Sequence, residues 1–128
     1  MASRRVLVID DSNTIRRSAE IFLKQGGHEV MLAEDGFDAL AKVNDSQPDL
    51  IFCDILMPRL DGYQTCAIIK RNPRFSGVPV IMLSSKDGLF DKARGRMVGS
   101  QDYLTKPFTK DQLLQAVQQF GYANQGAV

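Results

Sequence analysis

The sequence predicts an α/β fold: a doubly wound parallel sheet of five strands, each followed by a helix. Three observations carry this. Short runs rich in Val, Ile and Leu alternate with segments of helical periodicity, with no repeat, linker or low-complexity stretch between them, which is the pattern of βα units. The third run, LIFC at 50–53, is apolar at every position, as a central strand covered on both faces must be. The length, 128 residues, suits one domain, because domains cluster near roughly 100 to 150 residues.

The first strand is Arg5–Ile9, and Ser12 or Asn13 can cap the helix after it, which carries Ile15, Ala19, Phe22 and Leu23 on one side. Gly26 and Gly27 end that helix. Glu29–Ala33 reads as an edge strand, with Val30 and Leu32 alternating against Glu29 and Met31. The second helix is expected over Gly36–Asn44 with Phe37, Leu40 and Val43 inward. Leu50–Cys53 is the central strand, Tyr63–Arg71 the third helix, stopped by Pro73, and Val80–Leu83 the fourth strand. The stretch KDGLFDKARGRMVG holds the fourth helix, with boundaries blurred by Gly88, Gly95 and Gly99, each costing about 1 kcal/mol in a helix interior. Asp102–Thr105 is a short fifth strand, and Thr109 with Gln112 forms a capping box for a helix facing inward through Leu113, Leu114 and Val117.

Composition narrows the function classes. A formal net charge of +1 argues against a general nucleic-acid or acidic-lipid binder, so the expected partners are proteins. Only Val6–Ile9 are apolar in succession before Asp10 and Asp11, too few for a signal peptide or a spanning helix, so no membrane insertion and a cytoplasmic location are expected. Cys53 and Cys66 show no metal or redox spacing and read as reduced packing residues. His28, the sole histidine, lacks partners for a ligand or base role and reads as a surface residue.

Chemistry gathers at the strand ends, where sites in doubly wound sheets lie. Asp10 and Asp11 follow the first strand, Asp54 ends the third, Ser84 and Ser85 follow the fourth, and Lys106 with Pro107 follows the fifth. Parallel strands bring all of these to one edge. Three clustered carboxylates raise one another's pKa unless a cation joins them, and a hard divalent ion such as Mg²⁺ prefers oxygen donors and phosphate. The set therefore reads as a Mg²⁺ site with room for a phosphoryl group, Asp54 as its acceptor, and Lys106 and a serine hydroxyl on the phosphoryl oxygens.

The pieces VLVIDDS, PDLIFCDILMPRLDGYQ, VPVIMLSS and DYLTKPF together resemble the receiver domain of two-component response regulators, of the stand-alone CheY-like type, over essentially the whole chain. The resemblance implies a flavodoxin-like (βα)5 sheet of order 2-1-3-4-5, a single receiver domain over 1–122 and a flexible tail at 123–128. It implies Asp54 as phosphoacceptor and Asp10, Asp11, Asp54 and the Leu56 backbone carbonyl as Mg²⁺ ligands. Ser84 takes the switch hydroxyl position, Tyr103 that of the aromatic whose rotamer reports activation, and Lys106 that of the family's lysine. It implies a cis peptide between Lys106 and Pro107, a loop shaped by Met57, Pro58 and Gly62, and Asp61 capping the third helix. Leu56 and Lys86 stand where the family tunes phosphate lifetime; Leu56 has no polar group to align a water, so slow autodephosphorylation is expected. Serine at 84, and Ser100 with Gln101, depart from the commoner residues without removing a functional group.

By the same resemblance the phosphodonor is a histidine kinase or phosphotransfer domain. The output is a protein bound through the fourth helix, fifth strand and fifth helix, whose Lys86, Lys92, Arg94 and Arg96 suit an acidic or amphipathic segment. With no room for an output domain, the signal is expected to leave by protein contact, from a monomer that dimerises weakly if at all. No enzymatic turnover beyond its own phosphorylation and dephosphorylation is expected. Leu56 and Ser84 lean the resemblance toward a chemotaxis-like pathway of type IV pilus twitching motility, with a phosphate-sink receiver as the alternative. A haloacid-dehalogenase-like phosphohydrolase would want an aspartate at Leu56. A flavin or nucleotide domain would not place DDSNT after its first strand.

Overall fold

The chain alternates strand and helix throughout the residues that the computed structural model describes, 2–85 and 92–122. The elements are β1 (Arg5–Ile9), α1 (Asn13–Gln25), β2 (Glu29–Ala33), α2 (Gly36–Ser46), β3 (Leu50–Asp54), α3 (Gly62–Arg71), β4 (Val80–Ser85), α4 (Lys92–Val98), β5 (Asp102–Lys106) and α5 (Lys110–Phe120). The five strands run parallel in the order β2-β1-β3-β4-β5, the predicted arrangement.

Strand alternation divides the core in two. Val6, Val8, Leu50, Phe52, Ile81 and Leu83 pack on one face against Ala19 and Leu23 of α1 and Leu113 and Val117 of α5. Leu7, Ile9, Ile51, Cys53, Val80 and Met82 pack on the other against α2 and α3. β3 is buried at all of its positions, which is why its sequence shows no polar alternation. Cys53 and Cys66 are free and buried, as packing residues should be.

The helices start where side chains satisfy their first amides. Ser12, not Asn13, caps α1 by accepting from Ile15 N. Asp35 caps α2, and Asp61 with Gln64 and Thr109 with Gln112 form capping boxes at α3 and α5. α1 ends at Gly26, and Gly27 turns the chain with φ 87°, a left-handed value natural to glycine.

Several expectations need correction. β2 lies at the edge of the sheet, yet Met31 packs against one core half while Val30 and Leu32 pack against the other, because helices cover both faces. Phe37 is 55% exposed; the inward stripe of α2 runs through Gly36, Ala39 and Val43, and the Arg59 guanidinium lies over the Phe37 ring at 5.5 Å. His28 is half-buried rather than on the surface, and its Nδ1 accepts the Arg4 amide at 3.1 Å. Burial and the neighbouring Arg4 charge hold its pKa below the ordinary histidine value. β3, β4 and β5 each extend beyond their apolar runs, to Asp54, Ser85 and Lys106, so the chemistry-bearing residues belong to the strands themselves. Residues 86–91 (KDGLFD, with Lys86 and Gly88) and the tail 123–128 lie outside the described residues. Among the described residues no helix is long and apolar enough to cross a membrane.

Candidate functional site

The carboxyl ends of β1, β3, β4 and β5 form one cleft of about 170 Å³, lined by Asp11, Asp54, Leu56, Ser84, Ser85 and Lys106 among others. Register explains the convergence. Asp54 is paired with Leu83 across β3 and β4, and Ser84 with Thr105 and Ser85 with Lys106 across β4 and β5, so β4 and β5 run two residues past the level of Asp54 and their ends stand over it at one edge. Asp10 and Asp54 are buried, Asp11 is exposed, and one carboxylate oxygen from each lies within 4.8 Å of the others.

Lys106 Nζ is 3.1 Å from Asp10 Oδ2 and 3.0 Å from Asp54 Oδ1, and so bridges the two buried carboxylates. The Leu56 amide reaches Asp54 Oδ1 at 3.4 Å, and the Ser12 amide donates to Asp10 Oδ1 at 2.9 Å. One ammonium does not balance three carboxylates. Burial, then the Asp10 charge, push the Asp54 pKa up to about 6 against the opposing pull of Lys106. Burial draws the Lys106 ammonium downward, but its hydrogen bonds and attraction to Asp54 and Asp10 prevail and leave its pKa raised. Hard oxygen donors, a surplus of negative charge and an exposed carboxylate at the rim suit a divalent cation.

Gly62 fixes the wall behind the acceptor. Its amide donates to Ile55 O at 2.8 Å, and a Cβ built on it would lie 2.2 Å from Asp54 O, so only glycine permits α3 to start this close. Ser84 is buried beside the cleft, its Oγ donating to Ser85 O at 3.3 Å. The Lys106–Pro107 peptide is cis. Tyr103 is not in the cleft: it lines a separate hollow with Lys92, Arg96 and Gln101, and Lys92 Nζ lies 5.6 Å from its ring centroid. Leu56 is 68% exposed at the cleft rim.

Sequence reasoning missed Arg16. Its guanidinium donates to Asp10 O at 2.5 Å, because the first turn of α1 brings position 16 back over the end of β1. The only signal is its helical phase, and that does not distinguish it from its neighbour Arg17.

Residues 6–118 match the response regulator receiver domain family. The chain belongs to that family. This receiver is 67% identical to Protein PilG of Pseudomonas aeruginosa over 113 residues, covering 88% of this chain and 84% of that protein. It is 37% identical to Protein PilH of the same organism over 113 residues, covering 88% of this chain and 93% of that one. Among solved structures, the chemotaxis protein CheY4 of Vibrio cholerae superposes on it with a TM-score of 0.87 at 33% identity, covering 93% of this receiver and 99% of that chain.

Proposed function

We propose that this receiver is a single-domain response regulator that accepts a phosphoryl group on Asp54 from a phosphohistidine and signals by protein contact. The observation that carries the reading is Lys106 Nζ held between Asp10 and Asp54 at the cleft. A fixed cation beside a rigidly placed carboxylate is what phosphoryl transfer requires, since that chemistry depends on positioning and charge neutralisation. The phosphorus–nitrogen bond of the donor breaks as a bond from phosphorus to a carboxylate oxygen of Asp54 forms, and the departing imidazole takes up a proton. No general base is needed.

Asp10, Asp11, Asp54 and the Leu56 carbonyl would hold Mg²⁺, which when bound supplies positive charge for the phosphoryl oxygens. Lys106 neutralises a further oxygen. Ser84 Oγ, turned from the Ser85 carbonyl, donates to another. That movement and the inward turn of Tyr103 shift the population toward an active form whose α4, β5 and α5 surface binds a protein target. Lys92 and Arg96 on α4 favour an acidic or amphipathic segment there, whereas Arg94, expected on the same face, turns toward α3. The phosphodonor is a histidine kinase or phosphotransfer domain. The protein works as a monomer in the cytoplasm, within a chemotaxis-like motility pathway of the type IV pilus kind. The similarity to PilG and to a chemotaxis receiver supports that placement.

Incubating the protein with Mg²⁺ and acetyl phosphate tests the reading. The intact mass is expected to rise by one phosphoryl group, and Asp54→Ala to abolish the gain; an unmodified wild-type protein overturns the proposal. Leu56, an apolar side chain at the rim, leaves the phosphate slow to hydrolyse. Following the same mass over time, Leu56→Asn should shorten its lifetime severalfold, and an unchanged lifetime counts against this role.

A further inference from the structure

The described part of α4, Lys92–Val98, has Gly95 buried within it. A glycine inside a helix weakens it, so the position of α4 depends on what it touches. On the side facing β5, Lys92 lies against Tyr103. On the side facing α3, the Arg94 guanidinium stacks 4.4 Å from the centroid of the buried Tyr63 ring, and its Nη2 lies 3.7 Å from Asp61 Oδ2. The Asp61 carboxylate therefore serves two elements at once. Its Oδ1 caps α3 by accepting from Gln64 N at 2.8 Å, while its Oδ2 faces Arg94 on α4.

The start of α3 is in turn seated on the backbone of Asp54. The Gly62 amide bonds Ile55 O, and the Gly62 Cα sits so near Asp54 O that no side chain fits between them. A shift of the backbone at Asp54 moves Asp61, and Asp61 pulls on Arg94. This path runs along the α3 side of the site and does not pass through Ser84 or Tyr103.

We infer that Arg94 is a positioning residue: by joining Asp61 and Tyr63 it couples α4 to the backbone around Asp54 and holds the helix in its resting place. The inference rests on the reading of Asp54 as phosphoacceptor. An exposed ion pair contributes little alone, but stacking of the guanidinium on a buried ring adds to it. Because coupling is reciprocal, releasing α4 must change the affinity of the Asp54 site by the same factor. Arg94→Ala is therefore expected to tighten binding of a phosphoryl mimic by about three- to tenfold.

The test is an amide NMR titration of the full chain with beryllofluoride and Mg²⁺, comparing wild type, Arg94→Ala, Asp61→Asn and the double variant. Asn keeps the oxygen that caps α3 and removes the charge facing Arg94, so the fold-change caused by Arg94→Ala should shrink by about half or more in the Asp61→Asn background. Arg94→Lys keeps the charge but not the planar stack and should bind with intermediate affinity; it carries the test should the alanine variant not fold. Unchanged or weakened affinity in the Arg94 variants, or equal fold-changes in both Asp61 backgrounds, overturns the coupling alone. A wild-type protein that does not bind beryllofluoride overturns the Asp54 reading and the coupling with it.

Discussion

At the amino-terminal edge of the sheet, charges meet in pairs. The Arg5 amide donates to Asp49 Oδ2 at 2.8 Å, the Arg4 guanidinium lies 3.9 Å from Asp49 Oδ1 and 4.7 Å from the centroid of the Tyr122 ring, and the Arg4 amide donates to His28. At the carboxyl edge, Asp10, Asp11 and Asp54 crowd together, and the Lys106 ammonium bridges only two of them, Asp10 and Asp54. The first edge fastens β1 to the segment leading into β3. The second holds like charges together against their repulsion, and that free energy is available to a cation or a phosphoryl group. The same strands thus end in a structural clasp on one side and a reactive cluster on the other.

Neutralising Asp54 breaks this contrast most strongly. Its pKa is raised from 3.8 to about 6, so the folded state holds its proton more tightly than the unfolded state. The favourable effect of that proton is fully present below the unfolded value and is lost as pH rises through about 6. At pH 7 the charged carboxylate therefore costs the metal-free protein about 3 kcal/mol. Asp54→Asn in EDTA is expected to raise the urea midpoint at pH 7 and to leave it nearly unchanged at pH 4. A gain of equal size at both values would show that the charge is not the cause. Mg²⁺ should recover part of the same penalty in the wild type, about 1.4 kcal/mol at ten times its dissociation constant. The recovery should fade below about pH 6, as protons compete for Asp54, and disappear in Asp54→Asn.

Much of this was legible because the decisive signals are local. The βα alternation and the Thr109 box need only a few adjacent residues, and once the strands are parallel, Asp10, Asp54, Ser84 and Lys106 must share an edge. What was not legible depends on neighbours distant in sequence. Phe37 lies outside the core because the inward stripe of α2 passes it by and Arg59 covers its ring. Met31 is covered because helices flank even the edge strand. The strand ends fell one or two residues beyond the apolar runs because pairing of Ser84 with Thr105 and Ser85 with Lys106 continues the ladder past the last hydrophobic residue. Arg94 gave no sequence sign of its link to Asp61, since the contact spans two helices that only the fold brings together.

Removing a carboxylate from the paired edge should act in the opposite direction and by less. Asp49→Ala deletes the acceptor of the Arg5 amide and the partner of Arg4. Both donors stay within reach of water, so the loss is that of a modest hydrogen bond and a partly exposed ion pair, about 1 kcal/mol in total. The midpoint should therefore fall, where Asp54→Asn raises it. The decline should also be the same in EDTA and in Mg²⁺. The five residues of β1 separate the two edges by roughly 17 Å, about twice the screening length at physiological salt. An Asp49→Ala variant whose loss depended on Mg²⁺ would mean that the two edges are energetically joined through the sheet, and the division between fastening and reactive ends would no longer hold.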